Sequence, residues 1–155
     1  MKKEFTIATI STKDSPFIND LCKLRDGLSA HHDDTTSSER FRQFMLKHLG
    51  EETMLTFLIL NNGQPIGYGL AFDVIEHAYM PEWTRKGYIT QFFVNAEYRG
   101  QGIGEMGLAY IHDWFRARGI TDVLLNVAIK NEVGNRFWQK NGYTPYATRM
   151  ICRLK

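Results

Sequence analysis

Three glycines alternate through Arg99-Gly100-Gln101-Gly102-Ile103-Gly104, after the apolar run Gln91-Phe92-Phe93-Val94 and the polar connection Asn95-Ala96-Glu97-Tyr98. The residues from about Gly102 to Arg118 then carry helical periodicity. Glycine is a poor choice at a helix entry unless the backbone must bend unusually or come close to another group. A helix start also exposes N–H donors that lack intrahelical acceptors and carries partial positive charge. Together these features make a phosphate site, with Arg99 and Gln101 as further donors beside it. A glycine-rich turn with no ligand satisfies the glycine count equally well, so the surrounding pattern must decide.

One nucleotide-binding pattern is excluded by its surroundings. Gly102-Ile103-Gly104-Glu105-Met106-Gly107 matches GxGxxG. A dinucleotide site wants that loop tight after a strand, and an acidic residue at the end of the next strand. Here the next strand ends near Asn126–Ile129 without a carboxylate, and Asp122 falls at its start. The connection before the helix is also too long, and half of the chain precedes it.

The elements that must position this loop are set by hydrophobic spacing and punctuation. Residues 4–10 alternate as a strand. Ile18, Leu21, Cys22, Leu24 and Leu28 recur at helical spacing after Asp14, Ser15 and Pro16. Ser37 or Ser38 caps a second helix carrying Phe41, Phe44, Met45, Leu46 and Leu49, and Gly50 ends it. Residues 54–60 are a strand, Asn61-Asn62-Gly63 a turn, and residues 65–77 the return strand. A loop over 77–86 leads into a strand over 88–94. The helix after it shows Ile103, Gly107, Tyr110, Ile111 and Trp114 on one side. Residues 121–129 form a strand, a helix runs from about Glu132 to Lys140, and a final strand covers 146–154. The unit 88–129 is a parallel crossover and the earlier hairpin is antiparallel, so the sheet is mixed, in an α/β or α+β domain.

Bulk properties narrow the function classes. The chain has 155 residues, the usual size of one domain. Lys+Arg total 19 against Asp+Glu 17, a formal net charge of +2, which argues against a nucleic-acid partner. No apolar run approaches the ~20 residues of a membrane helix. The N-terminus lacks the long apolar stretch of a signal peptide and reads as a first strand, so a cytoplasmic protein is expected. Cys22 and Cys152 stand far apart with no CxxC spacing and are expected to be reduced, packing residues.

The strand, the short turn and Arg99-x-x-Gly102-x-Gly104 resemble the acyl-CoA pyrophosphate loop of the GNAT superfamily of N-acetyltransferases, whose pattern is Gln/Arg-x-x-Gly-x-Gly/Ala. A later stretch agrees independently. Asn131-Glu132-Val133-Gly134-Asn135-Arg136-Phe137-Trp138-Gln139-Lys140-Asn141-Gly142-Tyr143 is similar to that family's second motif, an Asn opening a helix that ends in a Gly-aromatic pair. The N-terminal pair of helices, with His31-His32-Asp33 ending the first, extends the resemblance over essentially the whole chain. The resemblance implies one acyl-CoA N-acetyltransferase domain over residues 1–155. Its mostly antiparallel mixed sheet would contain one splayed parallel strand pair, with helices on both faces.

It also implies the chemistry: acetyl-CoA as co-substrate, no metal, and attack of a primary amine directly on the thioester. Backbone amides around Phe92, Phe93 and Val94 would stabilise the oxyanion. The pantetheine would lie between 90–94 and 123–127. The pyrophosphate would lie over Arg99, Gly100, Gln101, Gly102, Ile103 and Gly104. Asn131 would bind near the pantetheine. Arg136 and Lys140 either reach the adenosine phosphate or are solvated helix-face charges. The sequence departs from the family pattern twice. Trp138, counted among the cofactor-binding residues, stands where many relatives carry a tyrosine acid. Thr90 and Gln91 stand where many carry a glutamate base. Acid and base are therefore unassigned. Candidates for a water-relayed base are His31, His32, Asp33, Asp73, Glu76 and Glu82, with the histidines foremost because imidazole titrates near neutrality; a capping or surface role for the His pair is the alternative. Tyr143 is read as core.

Acceptor residues are sought in the first two helices and the 77–88 loop. Asp33, Asp34, Glu76 and Glu82 suit an ammonium group, and Tyr79, Trp83 and Tyr88 a pocket wall. A small cationic amine fits: a polyamine, an aminoglycoside or an amino-acid derivative. The rival reading has those aromatics filling a gap or a homodimer seam. A non-catalytic acyl-CoA-binding or sensing domain, and a protein N-acetyltransferase, are the alternatives.

Overall fold

Two successive residues with positive φ, Asn62 at 47° and Gly63 at 79°, reverse the chain between β2 (Met54–Asn61) and β3 (Gln64–Ile75). That pairing matches the turn class whose twist suits a hairpin. Around it grows a sheet of order β1-β2-β3-β4-β5, seen in a computed structural model that describes residues 3–29, 38–75 and 85–154. β1 (Phe5–Thr9) pairs antiparallel with β2, and β4 (Arg85–Val94) antiparallel with β3. β5 (Val123–Leu125) lies parallel to β4, from Gly87 opposite Val123 to Ile89 opposite Leu125. The mixed sheet with one parallel pair is the expected architecture. β4 begins at Arg85 rather than Tyr88. Arg85-Lys86-Gly87 resembles a loop by composition, yet it pairs in register with Ile75, Val74 and Asp73.

Side chains alternate across the sheet, and each face takes a helical layer. On one face Leu58, Leu60, Tyr68, Leu70 and Phe93 join the main core. α1 (Ile18–Ser29) adds Leu21 and Leu24 to it, and α2 (Ser38–His48) adds Phe41 and Met45. α3 (Ile103–Arg116) covers the other face, where it buries Ile103, Gly107, Leu108, Ile111 and Phe115. Leu108 and Phe115 thus replace the expected Tyr110 and Trp114. Those two aromatics sit at the edge of the stripe, where the Tyr110 hydroxyl and the Trp114 ring face meet polar partners. The Tyr110 hydroxyl lies 2.5 Å from Thr9 Oγ1, and the Arg118 guanidinium stacks 4.2 Å from the Trp114 ring.

The chain divides into two units, Met1–Leu125 and Asn126–Lys155. Within the second, α4 (Glu132–Lys140) forms where the sequence placed it. Phe137, Trp138 and Tyr143 cluster there, with ring centroids 5.0 and 5.2 Å apart along the series. Residues 126–129 are not strand, and neither is any part of 146–154. Ile129, Tyr146, Met150, Ile151 and Leu154 are exposed. Alternation is necessary for a strand but not sufficient, because its backbone groups also need a paired neighbour. Of the two free cysteines, Cys22 packs against the core as expected and Cys152 is exposed instead.

Candidate functional site

β4 carries an extra residue at Thr90. Its register with β3 runs Gln91 opposite Leu70, then Ile89 opposite Ala71. The unmatched Thr90 hydroxyl donates to Leu70 O at 3.2 Å. Such a bulge bends the strand and re-aims the residues beyond it. The parallel pairing to β5 also stops at Ile89. Among the described residues, 90–94 therefore have no strand partner on that side.

The ladder phase tells which amides face the open edge. Asn95 N–H donates to Ile66 O at 2.8 Å. In an antiparallel ladder alternate N–H groups point the same way, so those of Phe93 and Asn95 turn to β3. Those of Phe92 and Val94 turn to the open edge. Phe93 contributes a side chain instead. Its ring touches α1 at Gly27, where an added Cβ would stand 3.2 Å from it. The Phe92 ring lies on the opposite face, 3.1 Å from a Cβ built on Gly107 of α3.

Beyond Val94 a single 3₁₀ turn, Ala96–Tyr98, leads to the glycines. Gly100 has φ 71° and Gly102 φ 77°, and a Cβ on either would meet nothing within 4 Å. Gly102 is the residue before α3 and provides no side-chain cap. The first intrahelical bond is Met106 N–H to Gly102 O at 3.0 Å, so the amides of Ile103 and Gly104 precede the helical ladder. Arg99 folds back over the strand end. Its Nε donates to Val94 O at 2.9 Å and its guanidinium lies 5.7 Å from the Phe93 ring centre. Gln101 is turned into the loop. Its Nε2 donates to Glu97 O at 3.1 Å, and its Oε1 accepts from Lys3 Nζ at 2.8 Å.

Thus Phe92, Phe93, Val94 and Arg99 to Gly104 come together at the C-terminal end of β4. Asn131 and Trp138 belong to the second unit. There Asn131 Oδ1 caps α4 by accepting from Gly134 N–H at 2.9 Å, and Trp138 makes edge-to-face contacts with Phe137 and Tyr143. Burial pushes the Tyr143 phenol up to about 12, which keeps its proton on. His31, His32 and Glu82, with Asp33, Asp34, Glu76, Tyr79 and Trp83, lie outside the described residues. Asp73 is buried and held by two nitrogens of Arg85.

Two features escaped the sequence reading. The bulge at Thr90 leaves no compositional trace. The bond from the buried Tyr68 hydroxyl to Gln91 Oε1, 2.8 Å, joins strands whose pairing was not yet known.

Comparison with known proteins bears on the chain as a whole. The chain is 25% identical over 140 residues to N-alpha-acetyltransferase 30 of Schizosaccharomyces pombe, covering 90% of this chain and 86% of that protein. Its fold is similar to an aminoglycoside N-acetyltransferase, AAC(6')-Iy, solved in complex with CoA. The TM-score is 0.81 at 16% identity, covering 100% of this chain and 97% of that one. The fold is also similar to a ribosomal-protein-alanine N-acetyltransferase from Brucella melitensis, with TM-score 0.71 at 15% identity over 97% of this chain and 100% of that one. The sequence model of the acetyltransferase (GNAT) family matches residues 18–143, most of the chain and both motifs, so the chain belongs to that family of acetyl-CoA-dependent N-acetyltransferases.

Proposed function

We propose that this chain transfers an acetyl group from acetyl-CoA to a primary amine of a small cationic acceptor, residues 1–155 serving as one transferase domain. The observation that carries the reading is the continuity of two donor sets. The open edge of β4 leads through Arg99 into a helix start whose donors have no side-chain cap.

The residues fit the diphosphate of CoA. Glycine at 100 and 102 leaves clear the space that side chains would fill, and the amides of Ile103 and Gly104 supply donors at the positive end of α3. With its Nε committed to Val94 O, Arg99 offers its terminal nitrogens to a phosphate. When bound, CoA supplies the activated thioester. The open-edge N–H groups of Phe92 and Val94 stand ~6.6 Å apart along the strand, so one of them would donate to the acetyl carbonyl oxygen as it gains negative charge and the other to an oxygen farther along the cofactor. Fixed donors of this kind contribute about 3 kcal/mol to such reactions. The acceptor must be deprotonated before it attacks. Thr90 and Gln91 are neutral and Asp73 is committed to Arg85, so the base is sought among His31, His32 and Glu82.

The aminoglycoside enzyme among the similar folds is compatible with a small acceptor. The fission-yeast relative favours a second reading, with the α-amine of a protein N-terminus as acceptor. Incubation with acetyl-CoA and an amine panel, following free thiol, separates these readings. Aminoglycosides and amino-acid derivatives are expected to drive thiol release. Release only with peptides bearing a free N-terminus would replace the small acceptor by a protein. Tight CoA binding with no amine-dependent release would make the chain a non-catalytic acyl-CoA-binding domain.

A further inference from the structure

Tyr68 is fully buried, and its hydroxyl donates to Gln91 Oε1 at 2.8 Å. Gln91 sits on the α1-facing side of β4, between the bulged Thr90 and Phe92, whose N–H points to the open edge. Its side chain is half-buried. A carboxamide has one oxygen acceptor and an NH₂ with two donors. With the oxygen fixed by Tyr68, the nitrogen end is the part of this half-buried carboxamide left to bond elsewhere. No described residue accepts from that nitrogen. A buried phenol needs only one acceptor, and glutamine supplies it together with two donors that have no use in the described structure.

We infer that Gln91 reads the acceptor: its Nε2 donates to a carbonyl or hydroxyl oxygen that the acceptor carries on the carbon next to its amine-bearing carbon, and Tyr68 is the positioning residue that holds this orientation. The inference rests on the transferase reading above, because it places Gln91 beside the amides that face the thioester. A neutral donor does not attract an ammonium, so this contact selects for the oxygen and not for the charge. The acceptor class is then an amino alcohol or an α-amino carbonyl compound, rather than a plain alkylamine.

Alaninamide, alaninol and ethylamine test this, compared by kcat/KM per unit of free base with thiol release as the readout. The native protein is expected to favour the two oxygen-bearing amines about tenfold, the scale of one hydrogen bond in a partly desolvated site. The Tyr68→Phe/Gln91→Leu double variant replaces both polar partners by apolar groups, so it strands no buried donor. It is expected to lose that preference through KM for the oxygen-bearing amines, while kcat with ethylamine and CoA affinity stay within about twofold. Tyr68→Phe alone is expected to lose part of it, again in KM. Equal loss with all three amines, or no preference in the native protein, overturns the inference alone. So does a lack of release with all three from a protein that acetylates another amine. No release from any amine overturns the transferase reading, and this inference with it.

Discussion

Gly102 holds φ at 77°, in the left-handed region. An L side chain there costs roughly 1–2 kcal/mol. Space is not the obstacle, since a Cβ would meet nothing within 4 Å. Gly102→Ala and Gly102→Glu therefore share the same backbone strain and differ in what they put into the cradle. Both should lower the melting temperature by a similar few degrees. Calorimetry should find CoA affinity reduced a few-fold in Gly102→Ala and abolished in Gly102→Glu, where a carboxylate occupies the phosphate's place. Equal affinities in the two variants would remove the diphosphate from this loop. The left-handed turn was legible at this position because a demand on backbone conformation writes itself into residue type. The bulge at Thr90 was illegible for the opposite reason: any residue tolerates it, and it is defined only by pairing with Leu70 and Ala71. Gln101 shows the limit of counting donors from sequence. Its carboxamide is spent within the loop and on Lys3.

At the scale of elements, Gly107 decides how close α3 lies to the sheet. A Cβ there would stand 2.9 Å from Ile59 Cδ1 and 3.1 Å from the Phe92 ring. Neither neighbour has easy room, because Ile59 is fully buried and Phe92 is fixed on the strand. Gly107→Val is expected to lift α3 and to destabilise the chain by about 1–3 kcal/mol, the usual cost of overpacking. Phe92 also bears an amide of the open edge, so CoA affinity should fall with stability. Unchanged affinity in a destabilised Gly107→Val protein would show that the loop is held independently of the helix behind it. Elements with dense periodicity and clear punctuation were read to within a residue or two: β2, α2 between Ser38 and Gly50, and α4 behind its Asn131 cap. Errors arose where pairing outweighs composition. Arg85-Lys86-Gly87 entered β4 through their partners on β3, and 146–154 gained no strand from alternation alone.

At the scale of the first unit, the two ends of β4 do different work. The strand's ten residues, Arg85–Val94, span about 30 Å at ~3.3 Å each. Its far end opens on the glycine loop, and its near end is tied to four other segments. Arg85 holds the buried Asp73 of β3 through two nitrogens and reaches Arg118 O, after α3, at 3.4 Å. Arg118 in turn donates to Glu52 O, just before β2, and stacks on Trp114. Asp122, before β5, accepts from Gly87 N–H at 2.9 Å and pairs with Lys86. Asp73 is the one fully desolvated charge in this network, with its side chain 4% exposed against 47% for Arg85. Removing the cation would strand a buried carboxylate, which costs more than losing an exposed pair. Arg85→Met should therefore destabilise more than Asp73→Asn, which keeps the shape and strands no charge. Both variants should lower the melting temperature and leave CoA affinity within about twofold, because the loop lies several Debye lengths of strand away at physiological salt. Gly102→Glu should show the opposite balance, with binding lost and the fold mostly kept. If Asp73→Asn weakens CoA binding as much as it weakens the fold, the two ends of β4 are coupled, and the sheet has to be treated as one lever rather than an anchor and a site.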